Sequence, residues 1–572
     1  EEGMIVLGIW GYSADSPAQA HDSGAAVIRD GEVLAAVSEE RLTRKKCEGS
    51  FPVLSIAEVL RISNLSTKEI NAVALAGLPP FGRAGKMLKY IYKTYRDTGI
   101  LMSNRILYAL LTAKKIRRTL PDLLNGITVY EIDHHEAHAA SAYYTCPWSE
   151  AAVITLDGIG DSAVCGTIGV GKNGSLVKLR EFNGYYSPGI LYSFITQYFG
   201  FKPSRHEGKI TGLAAYGDSK KCFERFRTIN RYDADRHEFF SDYIPCLFKA
   251  KSYDDWRIPL VDEMLEEVEK ADVAAALQEL TEQNVTAMVR DAVNMTGIRN
   301  VALAGGLFGN VKVNQRIREL DCVEGVYVQP AMSDTGLALG AALKVWATAA
   351  LKKGGRPLPV FLRNVYLGPE YTDGEVRRAI EKYQLPYRRV EHPASFTAKM
   401  LKEKKIVGYF SGRMEYGPRA LGNRSILADP TDRSINDWLN ERLKRTEFMP
   451  FAPSILEEDA GRFYPDWSPT DVPGRFMTMT YDVDAQGVSL APAVSHIDHT
   501  ARPQVVRKED NPTYHSLISE FKKLTGLPLV INTSFNIHEE PIVCSPEDAI
   551  RSFLNGSVDV LVLGHHVVES RL

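Results

Sequence analysis

The stretch "IDHHEAHAASAYY" (132–144) sets His134, His135 and His138 within five positions, directly after the apolar run Ile127–Tyr130. The alanines and tyrosines that follow suit a helix, and helical residues four apart share a face. His134 and His138 can therefore point two imidazoles at one ion. Asp22, Asp157 and Asp334 each lie at or just beyond an apolar, strand-like run and beside Gly or Ser. Ligand sites of α/β sheets gather at such strand ends. Taken singly, each Asp reads more simply as a turn residue or helix cap. Together with the Gly305-Gly306 loop they point to a cation beside phosphate, since small residues let backbone amides approach it. Two imidazoles with carboxylates suit Fe(II), Mn(II) or Zn(II) better than Mg²⁺. Metalloprotease chemistry is disfavoured, because His135-Glu136 would need a histidine at 139, where Ala139 stands.

A second set of candidates lies in the last third. "GRMEYGPRALGNRSILADP" (412–430) carries Arg413, Arg419 and Arg424 around Gly417 and Gly422. The simple reading is a solvated basic loop, but two of these arginines sit in a Gly-Pro-rich turn beside Asn423 and Ser425, an anion cradle given the guanidinium's fork geometry. Lys444 and Arg445 precede a proline-braced apolar segment, and "VSHIDHTARPQVV" adds His496, Arg502 and Gln504. "INTSFNIHEEPIV" ends a buried-type strand with Asn532, Ser534 and Asn536, hydrogen-bonders placed for a nucleotide.

The elements that must position these residues alternate between strand and helix. "MIVLGIW" reads as a strand, "GAAVIRDGEVLAAV" as a hairpin turning at Asp30-Gly31, and 70–77 as another strand. Helical stretches follow between 83 and 117, and a long helical region covers about 262–296. "NVALAGGLFGN" (300–310) and "GVYVQPAMSDTGLALGAAL" (325–343) each run from strand through loop to helix. "KKGGRPLP" (352–359) is the linker candidate, so two α/β domains are expected, 4–359 and 360–572. A chain of 572 residues exceeds what one core supports. A net charge of −3 gives no reason to expect a nucleic-acid surface, and no apolar run reaches the roughly 20 residues of a membrane span. Seven scattered cysteines without a CxxC argue against disulfides and zinc ribbons. Glu1-Glu2-Gly3 reads as an addition ahead of a natural start at Met4, and a cytoplasmic enzyme is expected.

"HDSGAAVIRDGEVLAAVSEERLTRKK", "DHHEAHAASAYY", "LDGIGD", "YYSPGILYSFITQYFGF", "HEGKITGLAAYG" and "GGLFGN…PAMSDTGLALGAAL" resemble the carbamoyltransferase family, which includes antibiotic and nodulation-factor O-carbamoyltransferases. The four stretches of the last third resemble that family's C-terminal domain, and the two halves cover nearly the whole chain. The resemblance implies an actin/Hsp70/sugar-kinase-like first domain, similar to the tRNA threonylcarbamoyl transferase, followed by a YrdC-like α/β domain. It implies that the second domain makes carbamoyladenylate from carbamoyl phosphate and Mg-ATP. The first would then pass the carbamoyl group to a hydroxyl of a small natural-product or sugar-type acceptor. By motif, it places an iron-type divalent ion on His134, His138, Asp157 and Asp334, and His21-Asp22 match the family's His-Asp pair. An imidazole suits partial proton transfer from an attacking hydroxyl, so His21 is the expected catalytic base, the other reading being a loop histidine that only hydrogen-bonds substrate. For nucleotide and carbamoyl phosphate it points to Lys46, Gly305, Gly306, Asn310, Arg419, Lys444, Arg502, Ser534 and Asn536. In a strand, Asp22 would face away from His21 and serve the backbone or the nucleotide. The chain departs from the family pattern at Cys47, Met449, His499 and Glu539, and with no arginine at Met449 one phosphate contact is either missing or supplied by Arg445.

Neither nucleic acid nor membrane is an expected partner, and a homodimer is the assembly considered. One alternative is a tRNA threonylcarbamoylation enzyme, against which the balanced charge stands. Another is a non-catalytic ATP-binding assembly protein, which would leave the histidine–aspartate set unexplained. The hydrogenase-maturation carbamoyltransferase carries CxxC motifs that this chain lacks.

Overall fold

In the computed structural model the described residues are 3–12, 21–103, 105–107, 110–111, 124–160, 163–249, 257–445 and 448–569. The chain divides into two compact units, Glu1–Leu34 with Gly49–Leu362, and Ala35–Glu48 with Arg363–Leu572. The main break thus falls at Leu362–Arg363, where the sequence suggested 359–360. That Ala35–Glu48 joins the second unit was not expected from its residues. Backbone pairing ties it there, with Ala36 N donating to Leu367 O at 3.2 Å.

The first unit holds two five-stranded sheets. One comprises β1 (Ile5–Trp10), β2 (Gly24–Arg29), β3 (Glu32–Ser38, of which Ala35–Ser38 is counted with the second unit), β4 (Ala72–Ala76) and β5 (Val129–Ile132), in the order β3-β2-β1-β4-β5. The other comprises β6 (Glu150–Leu156), β7 (Val164–Lys172), β8 (Ser175–Asn183), β11 (Asn300–Ala304) and β12 (Gly325–Val328). Its order, β12-β11-β6-β7-β8, repeats the first. In each sheet the leading strand pairs antiparallel with the next and parallel with the fourth. This duplicated topology is that of the actin/Hsp70/sugar-kinase-like class. A separate hairpin, β9 (Arg231–Asp233) with β10 (Glu238–Phe240), lies between. β1 and β4 are buried along their whole length, which is why they read as unbroken apolar runs. The turn at Asp30-Gly31 takes φ of 49° and 87°, the left-handed pair of a type I′ hairpin.

The helix His134–Thr145 is buried almost all round, and Pro80–Thr98 forms the first part of the expected 83–117 helical region. Positions 104, 108–109 and 112–117 of that region lie outside the described residues, as does Asp161 of "LDGIGD". The expected helix over 262–296 is two, Pro259–Glu267 and Lys270–Thr296, separated at Val268-Glu269, both extended. Among the described residues no helix is long and apolar enough to cross a membrane.

The second unit is built on one eight-stranded mixed sheet. Its strands are β13 (Arg388–Arg389), β14 (Val407–Phe410), β15 (Arg424–Ala428), β16 (Ala452–Leu456), β19 (Gln504–Val506), β20 (Leu529–Ser534), β21 (Val560–Leu563) and β22 (His566–Glu569). They run in the order β13-β22-β21-β14-β15-β20-β16-β19. A two-stranded ribbon, β17 (Tyr481–Asp482) with β18 (Thr500–Ala501), stands apart. Helices Pro393–Lys402, Pro512–Thr525 and Pro546–Leu554 bury amphipathic faces in the surrounding core. The α/β class holds for both units.

Candidate functional site

Asp133 starts the histidine helix. Its carboxylate accepts from the backbone N–H of His135 (3.0 Å) and Glu136 (3.3 Å), a side-chain N-cap. Lys86 Nζ holds the same carboxylate at 2.8 Å, and Asp133 titrates below the usual carboxylate range. Burial alone would push it up; the Lys86 charge and hydrogen bond override that.

His134 and His138 lie one turn apart, with ring centroids 4.8 Å apart. Asp157 follows β6, and its Oδ2 is 3.2 Å from His138 Nε2 and 3.7 Å from His134 Nε2. Asp334, in the turn after β12, puts Oδ1 3.5 and 3.6 Å from the same two nitrogens. One donor atom from each of the four falls within 4.8 Å of the others. Ligands bound at about 2.0–2.2 Å must lie within roughly 4.4 Å of one another across a single ion, and closer for neighbours. The four imidazole–carboxylate distances, 3.2–3.7 Å, meet that limit, and this donor set fits one borderline divalent cation. Against the cost of burial, the two imidazoles hold Asp157 well below its ordinary pKa.

Close backbone approach sets this convergence. A Cβ on Gly340 would stand 1.9 Å from Ala137 O, so only glycine lets the helix Leu337–Lys352 cross the histidine helix here. That crossing seats Asp334 over the imidazoles. Gly305 takes φ of 110° and lies against Leu156, and a Cβ on Gly306 would come within 2.9 Å of Asp157 Oδ1. Gly305 N donates to Met332 O at 2.7 Å, which leaves Gly306 as the more open amide of the pair.

His135 points elsewhere. Its Nε2 donates to Val164 O (2.8 Å), and its Nδ1 accepts from Thr155 Oγ1 (3.0 Å). Burial, with His134 and His138 nearby, pushes its pKa down to about 3, so this third histidine stays neutral and structural.

His21 adjoins the cluster, its Nε2 3.9 Å from Asp334 Oδ2. The strand geometry expected for Asp22 is absent. Asp22 precedes β2 with φ of 58°, and this left-handed turn brings its Oδ2 to 3.2 Å from His21 Nδ1. Trp10 Nε1 donates to His21 O at 2.9 Å and packs edge-on to His134, 5.8 Å between centroids. Sequence reasoning missed Trp10, whose apolar strand position signals only core. Desolvation lowers the His21 pKa, but Asp334, Asp22 and Asp157 outweigh it and raise the value to about 10.

Asn310 faces a different task from the expected nucleotide contact. Its Oδ1 caps the helix Val311–Arg318 through Val313 N (3.2 Å), and its amide pairs with that of Gln278 at 2.8 and 3.2 Å.

In the second unit the arginines separate sharply. Arg424 is fully buried and donates to the carbonyls of Ser411, Gly412, Asn423, Pro369 and Cys544 at 2.9–3.4 Å. Arg413 donates to Leu367 O and Gly368 O. Both brace loops, which corrects the reading of an anion cradle built on two of the three arginines. Asn532 Nδ2 lies 3.3 Å from Ala420 O and 3.0 Å from Gln504 Oε1, while Gln504 Nε2 donates to Leu421 O. This buried network draws the chain at 419, 502 and 534 to one end of the sheet, at the cost of Asn532 and Gln504 as free contacts. His496 is buried beside Asp498, 3.3 Å away.

Arg445 grips Thr533 Oγ1 (2.8 Å), Ser534 Oγ (3.2 Å) and Asn536 Oδ1 (3.0 Å). Asn536 Nδ2 donates to Ile537 O and Glu540 O, so its side chain shapes its own loop. Lys444 is exposed at the end of the helix Ile435–Arg442. Lys46 belongs to the second unit. Burial lowers its pKa, offset in part by Glu40, Cys47 and Glu539, and Arg445 adds to the lowering.

Family profiles described as carbamoyltransferase N-terminus and C-terminus match residues 16–343 and 398–570. An uncharacterized protein of Synechocystis sp. is 33% identical, covering 98% of this chain and 96% of its own. The nodulation protein NolNO of Sinorhizobium fredii is 34% identical over 96% of this chain and 79% of that one. The nodulation protein NolO of Bradyrhizobium diazoefficiens is 36% identical over 77% and 79%. By the match of both profiles and by these relatives, the chain belongs to the carbamoyltransferase family.

Proposed function

We propose that the protein is an ATP-dependent O-carbamoyltransferase acting through carbamoyladenylate. The observation that carries this reading is the four-residue imidazole–carboxylate cluster with His21 beside it, in a chain of this family. An alcohol attacks a carbamoyl group poorly unless the leaving group is good. In the proposed sequence, carbamoyl phosphate is hydrolysed to carbamate and phosphate in the second unit. A carbamate oxygen then attacks the α-phosphorus of Mg-ATP, and the bond to pyrophosphate breaks. The acceptor oxygen next attacks the carbamoyl carbon in the first unit, AMP leaves, and the hydroxyl proton passes to His21.

His134, His138, Asp157 and Asp334 would hold a divalent transition ion, with iron first among the candidates. Such an ion supplies polarisation of the carbamoyl or phosphate oxygens. His21 does the proton work: Asp22 accepts from Nδ1–H, which turns Nε2 toward the cluster as a base. A pKa near 10 would leave the imidazole protonated, and two of the acids that raise it are Asp334 and Asp157. Their charge is balanced when the four ligands hold a cation, which returns His21 toward the range where a base works. Arg419, Arg502, Lys444, Lys46 and Ser534 are the residues we assign to ATP and carbamoyl phosphate. The acceptor is a hydroxylated small molecule, in antibiotic or related specialised metabolism.

Carbamoyl-phosphate-dependent exchange of labelled pyrophosphate into ATP tests the first half-reaction without knowledge of the acceptor. Exchange that requires carbamoyl phosphate supports the reading; its absence in folded, metal-loaded protein contradicts it.

A further inference from the structure

Residues Ala35–Glu48 lie far upstream of the rest of the second unit, yet they hold two of its loops. Arg44 Nη1 and Nη2 donate to Ile542 O and Pro541 O, each at 2.7 Å, and Arg44 Nε lies 3.5 Å from Asp548 Oδ1. Asp548 caps the helix Pro546–Leu554, its other oxygen accepting from Cys544 N and Ser545 N. Arg41 Nη2 reaches Gly417 O at 3.0 Å, in the loop that carries Arg419. Leu42, between them, packs on Met414, Ala420, Ile542 and Cys544. The backbone adds a second observation. Arg44 ends the helix Glu39–Thr43 at φ of 62°, its N–H bonded to Glu40 O. Glycine is the residue that takes this left-handed position at least cost. An arginine there bears the strain, and its side chain supplies the two-carbonyl clamp in return.

We infer that Ala35–Glu48 is an integral wall of the second-unit site, and that Arg44 is a positioning residue for the reaction there. Arg44 fixes the 536–544 loop from one side while Arg445 holds its start at Ser534 and Asn536 from the other. The consequence for catalysis rests on the reading given under Proposed function; the positioning itself does not.

Two measurements on the full-length protein separate these. Hydrogen exchange at the amides of His538, Glu540 and Val543, all bonded in the native loop, should accelerate at least tenfold in Arg44→Ala. Exchange in the helix His134–Thr145 should stay unchanged. Carbamoyl-phosphate-dependent pyrophosphate exchange should fall at least tenfold in Arg44→Ala and recover partly with added guanidinium ion, which a general loss of fold would not allow. Arg44→Lys keeps the charge opposite Asp548 but cannot fork to two carbonyls, so it should stay at least fivefold down. If Arg44→Ala does not fold, Arg44→Lys decides. Loop protection in the variants within twofold of wild type overturns the positioning role. Unaltered pyrophosphate exchange, with the loop deprotected, overturns its importance to the reaction. No exchange in wild type itself would fault the adenylate reading and leave the loop measurement to judge the inference.

Discussion

The histidine–aspartate cluster and the arginine-rich loop at 412–424 are both polar sets named from sequence, yet they were resolved by different physics. The cluster gathers four side chains from a helix, a strand end and a turn, and one donor atom of each lies within 4.8 Å of the others. The arginine loop does the reverse: Arg424 and Arg413 turn inward to peptide carbonyls. An imidazole–carboxylate convergence has few structural uses, whereas a guanidinium serves a carbonyl as readily as a phosphate. Spacing can therefore announce the first and cannot distinguish the uses of the second.

The largest effect should come from the cluster. His138→Ala and Asp157→Ala should reduce bound transition metal at least tenfold from close to one ion per chain, read by elemental analysis. Equal metal in His138→Ala would remove that residue from the ligand set.

Arg424→Met and Arg419→Met divide the arginine loop next. Arg424→Met leaves several buried carbonyls without a donor and should cost roughly 3–5 kcal/mol in denaturant unfolding, at about 1–3 kcal/mol per orphaned group with partial relaxation. Arg419→Met, at a half-buried residue, should lower pyrophosphate exchange tenfold or more at a smaller loss of stability than at the fully buried Arg424. Similar stability losses in both would erase the distinction between brace and ligand.

His21→Asn should keep pyrophosphate exchange near wild type. Transfer to a hydroxylated acceptor, found by mass-spectrometric screening, should fall by about two orders of magnitude, the range of general-base catalysis. Transfer within a few-fold of wild type would leave His21 with binding at most.

The smallest effect concerns His135. Its native pKa of about 3 lies below the unfolded value of 6.5, so on acidification the unfolded chain takes up the proton first. Its contribution to stability is complete above pH 6.5 and is lost as the pH falls toward 3. Replacing Thr155 by Val removes the donor to Nδ1. Melting of wild type and Thr155→Val across this window should show the variant less stable at neutral pH, by about 1 kcal/mol. Equal stability at pH 7 would argue that the Thr155 contact contributes nothing.

What the sequence made legible follows the same division. The helix carrying His134 and His138, the Asp30-Gly31 hairpin and the apolar strands ending near Asp157 and Asp334 all rest on local periodicity and turn chemistry. Features set by distant packing stayed hidden. Asp22 meets His21 only because of a left-handed turn that no pattern of side chains announces. Asn310, Asn532 and Asn536 look alike in sequence, and only their partners Gln278, Gln504 and the 537–540 backbone reveal that each is already engaged. The transfer of Ala35–Glu48 to the second unit depends on contacts some 500 residues away, such as Arg44 with Ile542.

The division of labour between the two regions has one direct test, carbamoyl-phosphate-dependent ATP–pyrophosphate exchange in His138→Ala and Ser534→Ala side by side. Formation of carbamoyladenylate in the second unit predicts that His138→Ala exchanges within threefold of wild type, whereas Ser534→Ala falls tenfold or more. A His138→Ala protein that folds but has lost exchange, or a Ser534→Ala protein that retains it, would contradict the assignment of adenylation to the second unit and of transfer to the first.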